Sequence, residues 1–381
     1  MLSLSRDELE MYARHLSLDN VGSTGQLLLK QARVLVVGAG GLGCPVLSYL
    51  TAAGVGTIGI VDHDRVDKSN LQRQVLFSFG DVGQFKATVA ARRLAQMNPF
   101  VNINPICERL SVDNALKLIT NHDIIIDATD NFQAKFLIND ACYFASKPLV
   151  YASINQFEGQ LSVFYASGDN GEPGPNYRDL FGEPPPPHLS QNCAEAGVIG
   201  VLPGLIGCLQ ANEAIKLILG IGQPLIGKLL TADALSLQFS IFTLKKRRDN
   251  PLSGKTPSMH RLEEIRYSCE LPPQDSISVG ELWRRLQAGE NVQLIDVREP
   301  YEREISSIGG VLIPLASLND SINNIDLQRF TVVYCKSGKR SWTALQALKP
   351  RFGAGKCFAL EGGIDAVLRS SYANILRRGL A

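Results

Sequence analysis

The sequence predicts a two-domain α/β protein: a larger first domain on a predominantly parallel sheet, then a smaller α/β unit. Three observations carry this. A β-branched run, Arg33–Val37, passes through a glycine-rich turn into an apolar helical stretch (residues 44–53), and a second strand, Thr57–Val61, closes on Asp62. Further short strands at 101–106, Ile124–Asp127 and 149–152 alternate with helical pieces such as 87–97, the signature of parallel strands joined by crossovers. A fresh strand and helix alternation then begins beyond residues 245–273, a stretch of charge, Pro, Ser and Gly with linker composition.

Residues 1–30 read as helix, rich in Leu, Glu and Arg. Residues 171–187, with four consecutive prolines from Pro184, read as a surface excursion. The second unit shows a helix at 280–286, strands at Val292–Asp296 and 331–334, and a helix at 342–348. The expected division is 1–250, a linker at 251–274, and 275–381, with no internal repeat.

A net charge of +1 over 381 residues points to neither nucleic acid nor an anionic membrane as partner. Eight scattered cysteines and a polar opening (SLSRDELEMYAR) predict a reducing, cytoplasmic setting without a secretory signal. The apolar stretch 196–220 is about membrane length, but Pro203, Gln210, Asn212, Glu213 and Lys216 interrupt it, so a buried helix is expected.

Gly38, Gly40 and Gly43 form G-x-G-x-x-G between a strand and a helix, with Gly41 a further glycine. Missing Cβ atoms let phosphates approach the backbone, and the helix N-terminus supplies amides. Asp62 stands where an acid accepts bonds from ribose hydroxyls. Alone this is a Rossmann-like site of NAD type. Downstream, Ser69-Asn70-Leu71-Gln72-Arg73-Gln74 groups amides with a guanidinium, Lys86 opens a helix, and Asp127-Ala128-Thr129-Asp130-Asn131 ends a strand. Hydride transfer has no use for Arg73 and Lys86, whereas attack on an α-phosphorus gathers charge that cations and magnesium neutralise. Asp130 offers magnesium a hard oxygen.

GAGGLG, SNLQRQ, GxxKA and DATDN, in that order, resemble the MoeB/ThiF/HesA enzymes, relatives of ubiquitin-activating enzymes, over residues 5–245. The resemblance implies an ATP-binding adenylation domain in which the C-terminal Gly-Gly carboxylate of a ubiquitin-like sulfur carrier attacks ATP. It implies that Asp62 holds the ribose, that Asn70, Arg73 and Lys86 hold phosphates, and that Asp130 holds magnesium, with Ser69 and Asn131 beside them. It also implies a homodimer with Arg14 contributed across it.

Many such relatives carry two C-x-x-C pairs for structural zinc. Here Asn176-Tyr177-Arg178-Asp179 and Asn250-Pro251-Leu252-Ser253-Gly254 stand in their places, and His188, Cys193, His260 and Cys269 lack paired spacing, so no zinc is expected. Cys193, in Ser190-Gln191-Asn192-Cys193, matches the family's crossover-loop cysteine and is expected to be catalytic. Cys44, Cys107, Cys142 and Cys208 read as core.

In the second unit, Cys335-Lys336-Ser337-Gly338-Lys339-Arg340 follows a strand and precedes a helix, where loop amides and three cations favour a thiolate or a persulfide. With Leu294–Glu302 and Leu360-Glu361-Gly362-Gly363, it resembles a rhodanese domain over residues 275–370; Ser306–Gly310 departs from the usual string. The combination implies sulfur transfer to the activated carrier, fed by a cysteine desulfurase or thiosulfate. An NAD-type oxidoreductase fused to a sulfurtransferase leaves Arg73, Lys86 and Asp130 unexplained, and a non-catalytic scaffold leaves both sites unexplained. Molybdopterin, thiamine, cysteine, thiolated tRNA and specialised metabolites all use such carriers, and the residues do not choose among them.

Overall fold

The computed structural model describes residues 3–167, 171–183, 197–264, 275–352 and 355–372, which fall into two compact units. In the first, eight strands form one sheet in the order β3-β2-β1-β4-β5-β6-β7-β8. These are β1 (Arg33–Val37), β2 (Thr57–Val61), β3 (Asn102–Ile106), β4 (Ile124–Asp127), β5 (Leu149–Asn155), β6 (Glu158–Phe164), β7 (Lys228–Asp233) and β8 (Gln238–Thr243). The first five are parallel, and β6, β7 and β8 extend the sheet antiparallel.

Strand β1 shows why both faces are covered. Val34 and Val36 enter one core with Leu47, Ile58 and Ile60, while Leu35 and Val37 enter the other with Ile125, Phe136 and Tyr151. A central parallel strand buried on both sides therefore reads as an unbroken apolar run. Helices α1 (Arg6–Met11), α2 (Ala13–Leu16) and α3 (Gly22–Gln31) replace the expected single N-terminal helix. The chain turns to bury Tyr12, whose hydroxyl accepts a bond from Asn98 at 2.8 Å, and Gly22 takes φ +53°.

Helices α4 (Gly43–Ala52), α5 (Lys86–Met97), α6 (Val112–Thr120) and α7 (Phe132–Ala145) are the crossovers; the short α8 (Tyr177–Leu180) follows β6. Helix α9 (Val201–Leu219) is the apolar stretch, with Leu202, Ile206, Ala211 and Ala214 buried in the first core. Every residue of β8 is exposed, Phe239, Ile241 and Phe242 included. Residues 251–264, of linker composition, pack on this unit: Leu252 and Leu262 are buried, and Leu262 joins the second core.

Helix α8 is anchored by a buried ion pair, Arg178 donating to Asp140 on α7 at 2.7 and 2.6 Å, while the Tyr177 amide donates to Asn139 at 2.7 Å.

The second unit has a five-stranded parallel sheet ordered β11-β10-β12-β13-β9, from β9 (Ser276–Ile277), β10 (Val292–Asp296), β11 (Val311–Leu312), β12 (Phe330–Tyr334) and β13 (Cys357–Leu360). Its helices are α10 (Val279–Gln287), α11 (Pro300–Ile305), α12 (Lys339–Leu348) and α13 (Gly363–Arg369).

Removing one partner of a buried pair strands the other charge, so Asp140→Ala should cost the first unit about 3–5 kcal/mol. Both tryptophans, Trp283 and Trp342, lie in the second unit. Denaturant unfolding should therefore show an earlier far-ultraviolet circular dichroism transition with an unchanged tryptophan midpoint; coincident shifts would contradict this.

Candidate functional site

The crevice lies at the carboxyl ends of β1, β2 and β4, where β1 has β2 on one side and β4 on the other, the switch point at which open α/β sheets bind ligands. Gly38 has φ +100°, and a Cβ there would stand 2.6 Å from the Ala128 carbonyl oxygen; one on Gly43 would stand 2.0 Å from the Gly38 oxygen. Those two glycines let the turn close. Gly40 differs: a Cβ would meet only Gln74 Nε2, at 3.7 Å, so the space above it is open. Gly41 packs on Pro203 and lies beside Arg73, whose Cγ would be 3.5 Å from an added Cβ.

Asp62 is buried and accepts amide bonds from Ala39 at 2.7 Å and Asp64 at 2.8 Å, tying the end of β2 to the glycine turn. Burial raises its pKa, with Lys86 and the two amides opposing. Lys86 opens α5, is 6% exposed, and places Nζ 3.0 Å from Asp64 Oδ2. Ser69 and Asn70 lie in a 3₁₀ turn, and Arg73 donates to the Ser69 carbonyl at 3.0 Å. Asp130 is exposed at the turn after β4, and Asn131 caps α7 by accepting from Ala134 at 2.9 Å. The structure thus brings Arg73 and Gln74 to the glycine turn and sets Lys86 beside Asp62. Arg14 is exposed on α2, and Cys193, His188 and Cys269 lie outside the described residues. The hard oxygen of exposed Asp130 fits magnesium.

Three features escaped the sequence. Asp64, two residues beyond Asp62, is the counter-ion of Lys86; its signal was the acidic Asp62-His63-Asp64 spacing. Lys135 is buried against Asp127; its signal was a single cation in a largely apolar α7. Gln210 of α9 donates to the Asp127 and Val150 carbonyls at 2.9 and 3.3 Å, with no signal beyond being polar in an apolar helix. Of the cysteines read as core, Cys44 and Cys142 are buried, whereas Cys107 and Cys208 are partly exposed: Cys107 stands one residue past the end of β3. Burial pushes the Cys44 thiol up to about 12.

The positions where zinc ligands were sought do converge. Asn250 Nδ2 donates to Asp179 Oδ1 at 2.7 Å and Asn176 Oδ1 at 3.2 Å, Asn176 Nδ2 donates to Ser253 Oγ at 3.0 Å, and Asp179 accepts the Arg247 amide at 2.8 Å. Two amides, a carboxylate and a hydroxyl are not the thiolates and imidazoles that hold structural zinc.

In the second unit, Cys335 follows β12 and is 1% exposed. Its sulfur accepts the Gly338 amide at 3.2 Å and lies 3.6 Å from Ser341 Oγ. The first amides of α13 close the loop from behind, Ile364 donating to the Cys335 carbonyl at 2.8 Å and Asp365 to that of Lys336 at 3.0 Å. Gly363 is required there, since a Cβ would stand 2.4 Å from the Cys335 oxygen. Lys336 and Ser337 are exposed, and Lys339 is partly so. Arg340, the third cation of the loop, is held by Glu302 in a bidentate pair at 2.6 and 2.7 Å. Burial opposes the Glu302 charge, but Arg340 and the Glu299 amide hold its pKa below the usual value. The departing string Ser306–Gly310 is tied down, with Arg298 donating to Ser306 O at 2.9 Å and Tyr334 to Gly309 O at 2.8 Å.

A glycine-turn nucleotide crevice in one unit and an amide-cradled cysteine in the other define a class that couples nucleotide chemistry to sulfur chemistry. The ThiF family matches residues 12–253 and the rhodanese-like domain residues 278–370. The probable adenylyltransferase/sulfurtransferase MoeZ of Mycobacterium tuberculosis is 44% identical, covering 96% of this chain and 94% of that protein. The sulfur carrier protein adenylyltransferase of Thermus thermophilus is 48% identical over 70% of this chain and 98% of its own length. The mouse adenylyltransferase and sulfurtransferase MOCS3 is 42% identical over 83% of this chain and 71% of its own. Among solved structures, Escherichia coli MccB with MccA-N7isoASN superposes with a TM-score of 0.56 at 21% identity, covering 66% of this chain and 76% of that one, a likeness of fold alone. The chain belongs to the ThiF family, in the form that carries a C-terminal rhodanese domain. It is an adenylyltransferase and a sulfurtransferase.

Gly40→Ala should leave thermal stability unchanged while weakening ATP binding, because only a ligand needs that space. Gly43→Ala should cost about 1–3 kcal/mol, the usual cost of overpacking, by driving a methyl into the Gly38 carbonyl. Melting curves with and without ATP check both; equal destabilisation by the two would refute the distinction.

Proposed function

We propose that this enzyme activates the C-terminal glycine of a ubiquitin-like sulfur carrier and converts it to a thiocarboxylate. The carrier carboxylate attacks the α-phosphorus of ATP, pyrophosphate leaves, and an acyl-adenylate remains. The terminal sulfur of a Cys335 persulfide then attacks the acyl carbon and expels AMP. The resulting acyl disulfide needs a second thiol: the candidate, Cys193, attacks the Cys335 sulfur, releases the thiocarboxylate and leaves a Cys193–Cys335 disulfide that an external thiol reductant must reduce before the next turnover. The observation that carries the reading is the meeting of Arg73 and Gln74 with the glycine turn, beside a buried Lys86. Asp62 suits the ribose, Asn70, Arg73 and Lys86 suit the phosphates, and Asp130 suits magnesium, which would neutralise phosphate charge when bound. Arg14, exposed in the described chain, is assigned to the partner's site in a homodimer. The sulfur donor is a cysteine desulfurase or thiosulfate, and a reducing cytoplasm suits persulfide chemistry.

Exchange of labelled pyrophosphate into ATP should require a Gly-Gly-ended carrier and fall about 10²–10³-fold in Lys86→Ala, Arg73→Ala or Asp130→Ala, the cost of removing one preorganised charge. Cys335→Ala should abolish thiosulfate:cyanide sulfur transfer and leave exchange intact. Exchange that ignores the carrier, or that fails with Cys335→Ala, would refute the scheme.

The reading also assigns the protein no structural zinc, supported by the oxygen and amide donors at Asn176, Asp179, Asn250 and Ser253. Elemental analysis should find far less than one zinc per chain, and chelators should leave the melting temperature in place; stoichiometric zinc would overturn the assignment.

A further inference from the structure

The turn that carries Asp130 is built on a charged pair that no step above uses. Asp127, at the end of β4, is fully buried. Its Oδ1 accepts two bonds from Thr129, from the amide at 2.9 Å and from the hydroxyl at 2.6 Å. Its Oδ2 accepts from Lys135 Nζ at 3.1 Å. Lys135 is 4% exposed, also donates to the Ala152 carbonyl in the middle of β5 at 2.7 Å, and lies 5.0 Å from the centre of the Tyr151 ring. Gln210 grips the Asp127 carbonyl from the opposite helix at 2.9 Å.

The consequence falls on Asp130. On one side Thr129 is bonded to Asp127; on the other Asn131 is fixed as the cap of α7. Asp130 itself is exposed, so its backbone is set by its two neighbours and its carboxylate is left open to solvent. We propose that Lys135 is a positioning residue: through Asp127 and Thr129 it fixes the turn so that the Asp130 carboxylate is presented to a divalent cation bound with the nucleotide. Bonded to both Asp127 and Ala152, it ties the end of β4 to the middle of β5 beneath that turn. A residue that merely neutralised a buried acid would support the fold without favouring the metal-bound complex over metal-free nucleotide. This deepens the adenylation reading and rests on its assignment of Asp130.

The full-length protein tests it by calorimetric titration with ATP, once with magnesium and once with chelator, and by manganese binding to the ATP complex followed by electron paramagnetic resonance. Lys135→Met should weaken cation binding to the ATP complex about 10–100-fold, the usual effect of losing an outer partner of a metal ligand. Metal-free ATP binding should stay near the wild-type value, and Lys135→Arg should restore most of the cation affinity. Thr129→Val keeps the buried pair but removes one link to the turn, and should shift cation binding in the same direction even if Lys135→Met does not fold. Wild-type cation affinity in a folded Lys135→Met, or in Thr129→Val, would overturn the proposal. Equal loss of metal-free and metal-bound ATP binding would overturn it too, leaving Lys135 a support of the fold alone. A wild-type protein that binds magnesium and ATP yet shows no carrier-dependent exchange would instead sink the adenylation reading.

Discussion

The nucleotide crevice depends on one close approach of backbone to backbone. The turn after β1 passes so near the Ala128 carbonyl, and folds so tightly on itself, that Gly38 and Gly43 have no room for a Cβ. That closure brings the start of α4 against the ends of β2 and β4, and Asp62 fastens it by taking the Ala39 amide. The amides and dipole of a helix start become useful to a phosphate only when the chain ahead of them leaves the front clear. Gly40, with open space above it, is the clear front.

Charge is handled in the same way in both units: three cations near the two sites are each held by a carboxylate. Lys86 has Asp64, Lys135 has Asp127, and Arg340 has Glu302. A buried cation without such a partner would cost several kcal/mol. For Lys86, whose partner is largely exposed, arriving phosphates can compete for the ammonium. For Arg340, gripped by two bonds with both side chains mostly covered, the pairing braces α11 against the cysteine loop. The sulfur of Cys335 has the Gly338 amide at hydrogen-bond distance, a fixed dipole that favours negative charge.

Much of this was legible in the sequence, for physical reasons that mark the limits too. Strands β1, β2 and β4 were read almost to the residue because central parallel strands are covered on both faces and show as apolar runs. In the antiparallel extension, β8 was not anticipated because it lies at the sheet edge with every residue exposed and shows no buried face. The N-terminal helix breaks where Tyr12 turns inward to Asn98, a partner 86 residues away that no local pattern encodes. The glycines, Asp62, Arg73 and Lys86 were found by motif, whereas Asp64, Lys135 and Gln210 act through partners that only the folded sheet brings near. The stretch from residue 250 has linker composition, yet Asn250 and Ser253 bond to Asp179 and Asn176.

Those last bonds have a chemical consequence. A tie made of amide, carboxylate and hydroxyl groups contains no sulfur. Thiolates attack peroxides and sulfane sulfur, and a thiolate that is oxidised or persulfidated ceases to be a faithful ligand. The tie at Asn176, Asp179, Asn250 and Ser253 is inert to all of these reagents. If Cys335 carries the transferable sulfur atom as proposed, the chain holds this part of its own scaffold together with groups that the cargo cannot touch.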